Sequence, residues 1–193
     1  MRIEPTIFKA YDIRGIYPGE INADVAYAIG RGYATLMMKK TPRETMRIAV
    51  SSDMRQSSEE LKQQFIRALL DSGIDVEDLG VISTPTFYYA VAYYGYDAGA
   101  QVSASHNPKE WNGFKFVGRH ATPVSFATGV EEVKKTIESE QYAPLVAENE
   151  RGTLQQRAGV LDTILNEQIE QIGGDFAKIK HFKIAIDAAS GMG

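Results

Sequence analysis

Ser105 stands in a sequence context that could present its hydroxyl group for chemistry. The run QVSASHNP at 101–108 begins with small residues and becomes polar, as where a strand leaves a sheet and enters a loop. Ligands bind at such strand ends in open α/β sheets. His106 and Asn107 add hydrogen-bond donors, and Pro108 stiffens the exit. We therefore predict a loop that presents Ser105, although an ordinary capped turn uses the same residue types.

A lysine that follows this loop could supply positive charge beside Ser105. The dipeptide Asn-Gly at 112–113 is a turn signal, so the chain is expected to return in a hairpin-like manner. Alternation beyond that turn places Phe114 and Phe116 on one face of the returning strand and Lys115 on the other. We therefore predict that Lys115 reaches the mouth of the loop, where a cation would steady a phosphoserine.

A second group of polar residues lies near the start of the chain, in FKAYDIRG at 8–15. The planar guanidinium of Arg14 suits a phosphate group, and Gly15 permits a tight turn beside it. The alternative is an ordinary surface ion pair between Asp12 and Arg14, since most charged pairs on a protein are solvated. Taken alone, this segment leaves both interpretations open.

Helix and strand patterns alternate around these residues. Helices are predicted over 23–40, 58–72, 84–94 and 130–138, and strands over 47–51, 74–80, 99–104 and 114–117. The helix signals include Asn22 as a cap, a capping box of Ser57 and Glu60, and Thr84 as a cap before Pro85. This alternation predicts an α/β fold, a three-layer α/β/α sandwich with a mixed, mostly parallel sheet.

The polar, weakly patterned stretch at 141–152 is the best linker candidate. We therefore predict one domain over 1–152 and the truncated beginning of a second, similar domain over 153–193. A helix face is expected over 161–172, ending at Gly-Gly at 173–174. Phe182–Asp187 is predicted to be a buried strand, because it is rich in isoleucine and runs into a glycine-rich turn.

Composition narrows the class of protein. The chain has 193 residues, 44% hydrophobic and 24% charged, which is ordinary for a globular protein. A formal net charge of −4 argues against nucleic-acid binding. The absence of cysteine excludes disulfides, thiolate metal sites and thiol nucleophiles. No signal peptide and no run of membrane-spanning length is visible, so we expect a cytoplasmic protein without membrane partners.

Three segments together carry a family resemblance. YDIRG at 11–15, SASHNP at 103–108 and NGFK at 112–115 are similar, in order and separation, to the signatures of the α-D-phosphohexomutases of the phosphomannomutase/phosphoglucomutase type. The resemblance implies catalytic roles for Ser105, Lys115, Arg14 and His106, and substrate or phosphate binding by Tyr11, Arg14, Asn107 and Lys115. The phosphoryl group on Ser105 would also be a ligand of Mg²⁺.

The implied activity is that of an isomerase of carbohydrate metabolism. Such a phosphoprotein interconverts hexose 1-phosphate and hexose 6-phosphate, of mannose and/or glucose, through phosphoserine and a bisphosphate intermediate. The resemblance implies a small phosphosugar as the partner, Mg²⁺ as the cofactor and hexose 1,6-bisphosphate as the activator. The other Mg²⁺ ligands and the sugar-recognition loops of the family have no counterpart in these residues, so we expect this piece alone to be inactive.

Some alternatives and one departure remain. A phosphoglucosamine mutase usually reads TDGIRG where this chain has YDIRG at 11–15, and a non-catalytic sugar-phosphate-binding module would keep the same loop. A serine hydrolase lacks support because no Gly-x-Ser-x-Gly elbow surrounds Ser105. Family members often carry Gly-Arg-Asp-x-Arg after the second strand. This chain reads SSDMR at 51–55, which retains Asp53 and Arg55 but lacks the first arginine.

Overall fold

The structure is a computed structural model that describes residues 3–41, 45–173, 179–189 and 191–192. Within these ranges the strands are β1 Ile13–Ile16, β2 Arg47–Ser52, β3 Asp75–Val81, β4 Ala98–Val102, β5 Trp111–Gly118 and β6 Leu154–Gln156. The α-helices are α1 Ala23–Lys40, α2 Ser58–Asp71, α3 Thr84–Tyr93, α4 Glu131–Ser139 and α5 Val160–Ile172. In the described part of the chain, no helix is both long and apolar enough to cross a membrane.

One mixed sheet in the order β1-β5-β4-β2-β3-β6 forms the centre of the fold. β2 pairs in parallel with β3 and β4, and β3 pairs in parallel with β6. β5 runs antiparallel to both of its neighbours, β4 and β1. The predicted mixed, mostly parallel sheet is therefore confirmed.

Helices cover both faces of this sheet. Successive residues of β2 belong to different apolar clusters: Ile48 and Val50 lie in one and Ala49 in the other. This alternation is that of a strand buried on both faces. The first cluster contains the apolar faces of α1, α2 and α4, and the second those of α3 and α5. The predicted three-layer α/β/α sandwich is confirmed.

The aromatic residues of β5 pack as alternation predicts. Phe114 and Phe116 are buried and stack against Phe65 of α2, with ring centroids 5.3 and 6.0 Å apart. Lys115 lies between them on the other face of the strand, where its ammonium group contacts Asp12. The apolar side of β5 therefore fixes the direction in which Lys115 projects.

The predicted turn at 112–113 is wrong, although the hairpin-like return is present. Both residues lie inside β5, and Gly113 pairs with Arg14 of β1. A Cβ atom at Gly113 would overlap the carbonyl oxygen of Ile13, so the glycine serves close strand packing. The return from β4 to β5 is made by residues 103–110, which we call the serine loop.

The helix caps agree only in part with the sequence signals. Asn22 caps α1 as predicted, its side chain accepting a hydrogen bond from an amide of the first turn. The capping box of α2 is not formed. The Ser57 hydroxyl instead accepts a hydrogen bond from Asn112 (2.8 Å), and the Glu60 carboxylate accepts one from Tyr17 (2.6 Å). Both side chains therefore hydrogen-bond to residues outside α2 and do not form the capping box.

The cap of α3 lies one residue before its predicted position. Ser83 accepts a hydrogen bond from the amide of Thr86 and is the cap. Thr84 begins the helix, and its hydroxyl donates to Gln101 of β4 at 2.7 Å. Serine and threonine are similar in strength as caps, so local preference does not choose between Ser83 and Thr84. The hydroxyl of Thr84 bonds to Gln101, and Ser83 is the cap.

The last part of the chain differs most from its prediction. The predicted buried strand Phe182–Asp187 is wrong: Phe182 and Ile186 are 72% and 86% exposed, and no strand of the described residues pairs with the segment. Without a neighbouring strand its backbone groups have no ladder to join. Gly174 and positions 190 and 193, which the predicted helix end and second domain include, lie outside the described residues.

The domain boundary near Gly152 stays a prediction. Immediately after it, residues 154–156 pair with β3, and α5 packs against α3. Hydrogen bonds to the sheet therefore continue for several residues past the linker.

Candidate active site

The serine loop begins where β4 ends and holds Ser105 in an uncommon conformation. Ser105 has φ +57°, in the left-handed region that residues other than glycine rarely adopt. Its amide donates to the Ser103 hydroxyl (3.0 Å), and the amide of Asn107 donates to the Ala104 carbonyl (3.1 Å). The Ser105 side chain is exposed at the tip. Such local strain is typical of functional sites, because it is kept only where the surroundings fix it.

The imidazole of His106 contacts the Ser105 hydroxyl. Its Nδ1 lies 3.3 Å from Ser105 Oγ, and both side chains are exposed. This is a long contact, but it is within reach of a proton exchange after a small movement. The geometry thus places His106 beside the Ser105 hydroxyl.

A buried carboxylate gathers the two predicted cations. Ile13 of β1 pairs with Phe114 of β5, which brings Asp12 opposite Lys115. Asp12 Oδ2 accepts hydrogen bonds from Lys115 Nζ (2.7 Å) and from Arg14 Nε (2.8 Å), and Arg14 Nη2 lies 2.7 Å away. Asp12 is 3% exposed, so this is not a solvated surface pair. With two cations on one carboxylate, the group carries net positive charge.

This positive group contacts the serine loop directly. Arg14 Nη1 donates to Asn107 Oδ1 at 2.6 Å, which joins β1 to the loop that carries Ser105. The contacts of Arg14 with Asp12 and Asn107 use three of its five N–H groups, so two remain for a ligand. Arg14 therefore both orders the loop and offers donors to an anion beside it.

Asp12 also acts on a residue of α3. Burial raises the pKa of Tyr88 above its usual value, and the negative charge of Asp12 adds to this. The half-buried phenol therefore keeps its proton at neutral pH. Asp12 therefore lies close enough to α3 for its charge to act on Tyr88.

A further arginine lies beneath the loop. The Arg55 guanidinium donates to the carbonyl oxygens of Ser105 (3.0 Å), Asn107 (2.6 Å), Pro108 (2.6 Å) and Trp111 (3.1 Å). Its Nε donates to Asp53 at 3.1 Å. Arg55 and Asp53 belong to the turn after β2, at the same sheet edge as the serine loop. They connect the loop to the core of the domain.

Open space adjoins the loop on the Arg55 side. A cavity of about 780 Å³ is bordered by residues 53–56, by Ser105, Asn107, Lys109 and Glu110, and by residues 189, 191 and 192. Its volume is within the range of pockets that hold small molecules. A phosphorylated sugar could therefore approach the loop from this side.

Comparison with known proteins identifies the family. Residues 5–143 match the family model described as "Phosphoglucomutase/phosphomannomutase, alpha/beta/alpha domain I". The chain belongs to the phosphoglucomutase/phosphomannomutase family. The resemblance to the phosphohexomutases, drawn from three short segments, is thereby confirmed.

Individual relatives agree with this assignment. A phosphomannomutase of Escherichia coli is 38% identical over 189 residues, covering 96% of this chain and 39% of the relative. A phosphomannomutase of Klebsiella pneumoniae is 42% identical over 151 residues, covering 78% and 92%. The solved structure of a phosphoglucomutase/phosphomannomutase family protein from Burkholderia thailandensis has a TM-score of 0.74 at 28% identity, covering 90% of this chain and 36% of that one. This chain thus spans about two fifths of the Escherichia coli relative.

Most of the residues that the phosphohexomutase resemblance singled out lie together. The group comprises Ser105, His106, Asn107, Arg14 and Lys115. Tyr11 differs, because its side chain is 78% exposed although it precedes Asp12. Its predicted role in substrate binding stays a prediction.

Sequence reasoning gave no role to two residues of this site. Asp12 was weighed only as a member of a surface pair, and Arg55 only as a retained family position. The signal for Arg55 was available, because Asp53 and Arg55 follow a buried strand directly, where side chains reach the functional edge of an α/β sheet. For Asp12 the decisive fact is burial by β5, which no local pattern contains.

The metal expectation can be tested against the side chains present. Among the described ranges, no cluster of three or more histidine, cysteine, aspartate or glutamate residues could hold a metal ion. Asp12 and Asp53, the carboxylates that hold Arg14 and Arg55, are already paired with cations. These residues alone therefore do not make a magnesium site in this phosphohexomutase domain.

Proposed function

We propose that this chain is the phosphoserine-bearing N-terminal part of a mutase that interconverts hexose 1-phosphate and hexose 6-phosphate, of mannose and/or glucose. Family membership and the printed names of the relatives support this activity. The observation that carries it is the exposed Ser105 with positive φ, on a loop whose Asn107 accepts a hydrogen bond from Arg14, which shares the buried Asp12 carboxylate with Lys115. We also propose that 1–152 is the first domain and that 153–193 begin the second.

In the proposed step, the phosphoryl group on Ser105 passes to a free hydroxyl of the sugar phosphate. The Oγ–P bond breaks, a bond forms between phosphorus and the sugar oxygen, the sugar hydroxyl loses its proton and Ser105 Oγ gains one. The product is a hexose bisphosphate. It then returns its other phosphoryl group to Ser105 by the reverse reaction, so the net change is movement of phosphate between positions 1 and 6.

The side chains around Ser105 have separate tasks in this step. Phosphoryl transfer depends mainly on positioning and on positive charge near the transferring group. Arg14 and Lys115 supply that charge, and Asp12 holds them in place. His106, 3.3 Å from Oγ, is suited to exchange the serine proton. Asn107 and Tyr11 are the candidates for contacts to the substrate.

Mg²⁺ belongs to the proposal only through phosphorylated Ser105. When bound, the ion would neutralise charge on the phosphoryl group. The described residues provide no complete ligand set, so its other ligands would come from outside them. No step above is derived through the ion.

Replacement of Ser105 in the full-length protein tests the proposed function. We expect Ser105→Ala to lower mutase turnover on glucose 1-phosphate and mannose 1-phosphate by at least about 1,000-fold, because alanine has no oxygen to form the ester that carries the phosphoryl group. Ser139→Ala, on α4 and away from the loop, is the matched control and should keep normal turnover. Turnover of Ser105→Ala within about twofold of the wild type would exclude Ser105 as the carrier.

A further inference from the structure

We infer that Arg55 is a positioning residue, which holds the serine loop in the conformation that presents Ser105 and does not itself bind the transferred phosphoryl group. This inference rests on the proposed function of Ser105. Arg55 has a largely buried side chain, 12% exposed, and it comes from the turn after β2. Fifty residues of chain separate it from Ser105, so the contact is made by the fold.

Every donor of Arg55 is already in use. A guanidinium has five N–H groups in a fixed planar arrangement. The acceptors are Asp53 Oδ2 for Nε, the carbonyls of Pro108 and Trp111 for Nη1, and the carbonyls of Ser105 and Asn107 for Nη2. No N–H group remains for a ligand phosphate. Arg14 differs, because two of its N–H groups stay available beside the same loop.

The acceptors explain what Arg55 fixes. Four carbonyl groups of one short segment point toward a single cation, and the carbonyl of Ser105 is among them at 3.0 Å. Because the direction of that carbonyl depends on the backbone of Ser105, the bond favours the left-handed conformation that the residue would otherwise avoid. Charge-assisted hydrogen bonds are strong enough to offset this unfavourable conformation.

Arg55 is itself held firmly. Asp53 is buried, and its Oδ2 accepts from Arg55 Nε at 3.1 Å. Its Oδ1 accepts from the Arg55 amide (3.1 Å) and from the Ser58 hydroxyl (2.7 Å) at the start of α2. Asp53 thus ties the guanidinium to the end of β2 and the first turn of α2. A lysine could not replace it, since one ammonium nitrogen cannot reach four carbonyls in a plane.

The test is the rate at which hexose 1,6-bisphosphate phosphorylates Ser105 in the full-length protein within a single turnover. We expect Arg55→Lys to slow this rate about 10- to 100-fold, because a displacement of about 1 Å at a reacting atom has an effect of that order. The value of kcat should fall while KM changes little. Arg67→Lys, an exposed arginine on α2, is the matched control and should load at the wild-type rate.

Two further readouts separate positioning from loss of folding. In Arg55→Ala, added guanidinium chloride at a non-denaturing concentration should restore part of the loading rate, and equal sodium chloride should not. Amide hydrogen exchange of the serine loop should also be faster in Arg55→Lys, while the exchange of residues in the sheet should not change. If Arg55→Lys does not fold, Asp53→Asn, which weakens only the anchor, is expected to show the same slower loading and faster exchange.

The possible outcomes distinguish this inference from the proposed function. A wild-type protein that takes no phosphoryl group from the bisphosphate contradicts the proposed function; the exchange measurement then still tests whether Arg55 orders the loop. A wild-type protein that is loaded, with Arg55→Lys loaded equally fast, overturns the positioning role. A raised KM with unchanged kcat also overturns it, because that result would make Arg55 a substrate-binding residue.

Discussion

Two buried carboxylates at different places on the sheet each hold two cations, and one of these groups contacts the serine loop. We call them the Asp12 cluster (Asp12, Arg14 and Lys115) and the Glu77 cluster (Glu77, Arg47, Arg157 and Tyr96). Lys115 pairs with Gln101 near the carboxyl end of β4, whereas Tyr96 precedes its amino end. The two carboxylates are similarly buried, with Asp12 3% and Glu77 4% exposed, and each pairs with two cations.

The difference lies in what the cations of each cluster contact. Both oxygens of Glu77 are occupied: Oε1 by Arg157 Nη2 (3.1 Å) and Arg47 Nη1 (3.4 Å), and Oε2 by Tyr96 and Arg157 Nε. The two guanidinium groups lie over tyrosine rings, Arg47 over Tyr96 at 4.9 Å and Arg157 over Tyr94 at 4.4 Å. The guanidinium groups nevertheless stay partly exposed, since the side chains of Arg47 and Arg157 are 46% and 33% exposed. Their side-chain hydrogen bonds go to Glu77, Tyr94 and Tyr96.

The Asp12 cluster is open toward the serine loop. All of its ion-pair contacts fall on Oδ2, and Arg14 extends beyond them to Asn107. No tyrosine ring covers either of its cations in the ring contacts of the described residues. A buried carboxylate with two cations does not by itself make an active site. The hydrogen bond from Arg14 to the loop that carries Ser105 distinguishes the Asp12 cluster.

The largest expected effect is a difference in mutase turnover between variants of the two clusters. We predict that Lys115→Met lowers mutase turnover of the full-length protein about 100- to 1,000-fold, as loss of one charge-stabilising group typically does. The matched replacement Arg47→Met in the Glu77 cluster should leave turnover within about twofold. Steady-state kinetics with glucose 1-phosphate measures both. Equal losses in the two variants would show that the clusters do not differ in function.

The next largest expected effect is a loss of stability when the Glu77 cluster is changed. We predict that Glu77→Gln lowers the free energy of unfolding by about 2–4 kcal/mol, because it leaves two arginines and Tyr96 without their buried charged partner. Turnover below the unfolding temperature should not change. Urea unfolding of the purified Glu77→Gln protein and of the wild type, followed by circular dichroism, gives the two free energies of unfolding. A change smaller than about 0.5 kcal/mol would mean that the cluster contributes little to the fold.

The smallest expected effect is the pH dependence of that stability. Burial would raise the pKa of Glu77, but hydrogen bonds from Arg157 and Tyr96 and the charges of Arg157 and Arg47 outweigh it, so the pKa is lowered. Its unfolded value is about 4.3. The stabilisation is therefore fully present above about pH 4.3 and is lost as the pH falls through the lower folded value.

This sign gives a direct measurement. The difference in unfolding free energy between the wild type and Glu77→Gln should be constant from about pH 7 to pH 5 and should shrink toward about pH 3. Urea titrations at several pH values provide the curve. A difference that grows on acidification would contradict the lowered pKa.

The features of the fold and the site that depend on neighbouring residues in the sequence could be predicted. Alternation alone fixed the face of Lys115, because Phe114 and Phe116 must be buried. The serine loop was recognisable from its small and polar residues. The contacts of Asp12 and Arg55 could not be predicted, since they depend on which strands become neighbours. The sequence distances are 103 residues from Asp12 to Lys115 and 50 from Arg55 to Ser105.

The errors have the same origin. Asn-Gly at 112–113 is a turn signal in isolation, but the pairing of β1 with β5 places Gly113 inside a strand. Ser57 is a good cap, but Asn112 takes its hydroxyl. Phe182–Asp187 has the composition of a buried strand, yet none of the described strands pairs with it. In each case a tertiary partner, or the lack of one among the described residues, overrides the local preference.

The central claim is that Ser105 carries the phosphoryl group, and phosphopeptide mapping tests it most directly. The full-length protein is incubated with hexose 1,6-bisphosphate, and its intact mass and its tryptic peptides are then measured. We predict a mass increase of one phosphoryl group located on Ser105, and no increase in Ser105→Ala. Phosphorylation of another residue, or an unmodified Ser105 in a protein with full mutase turnover, would contradict this account.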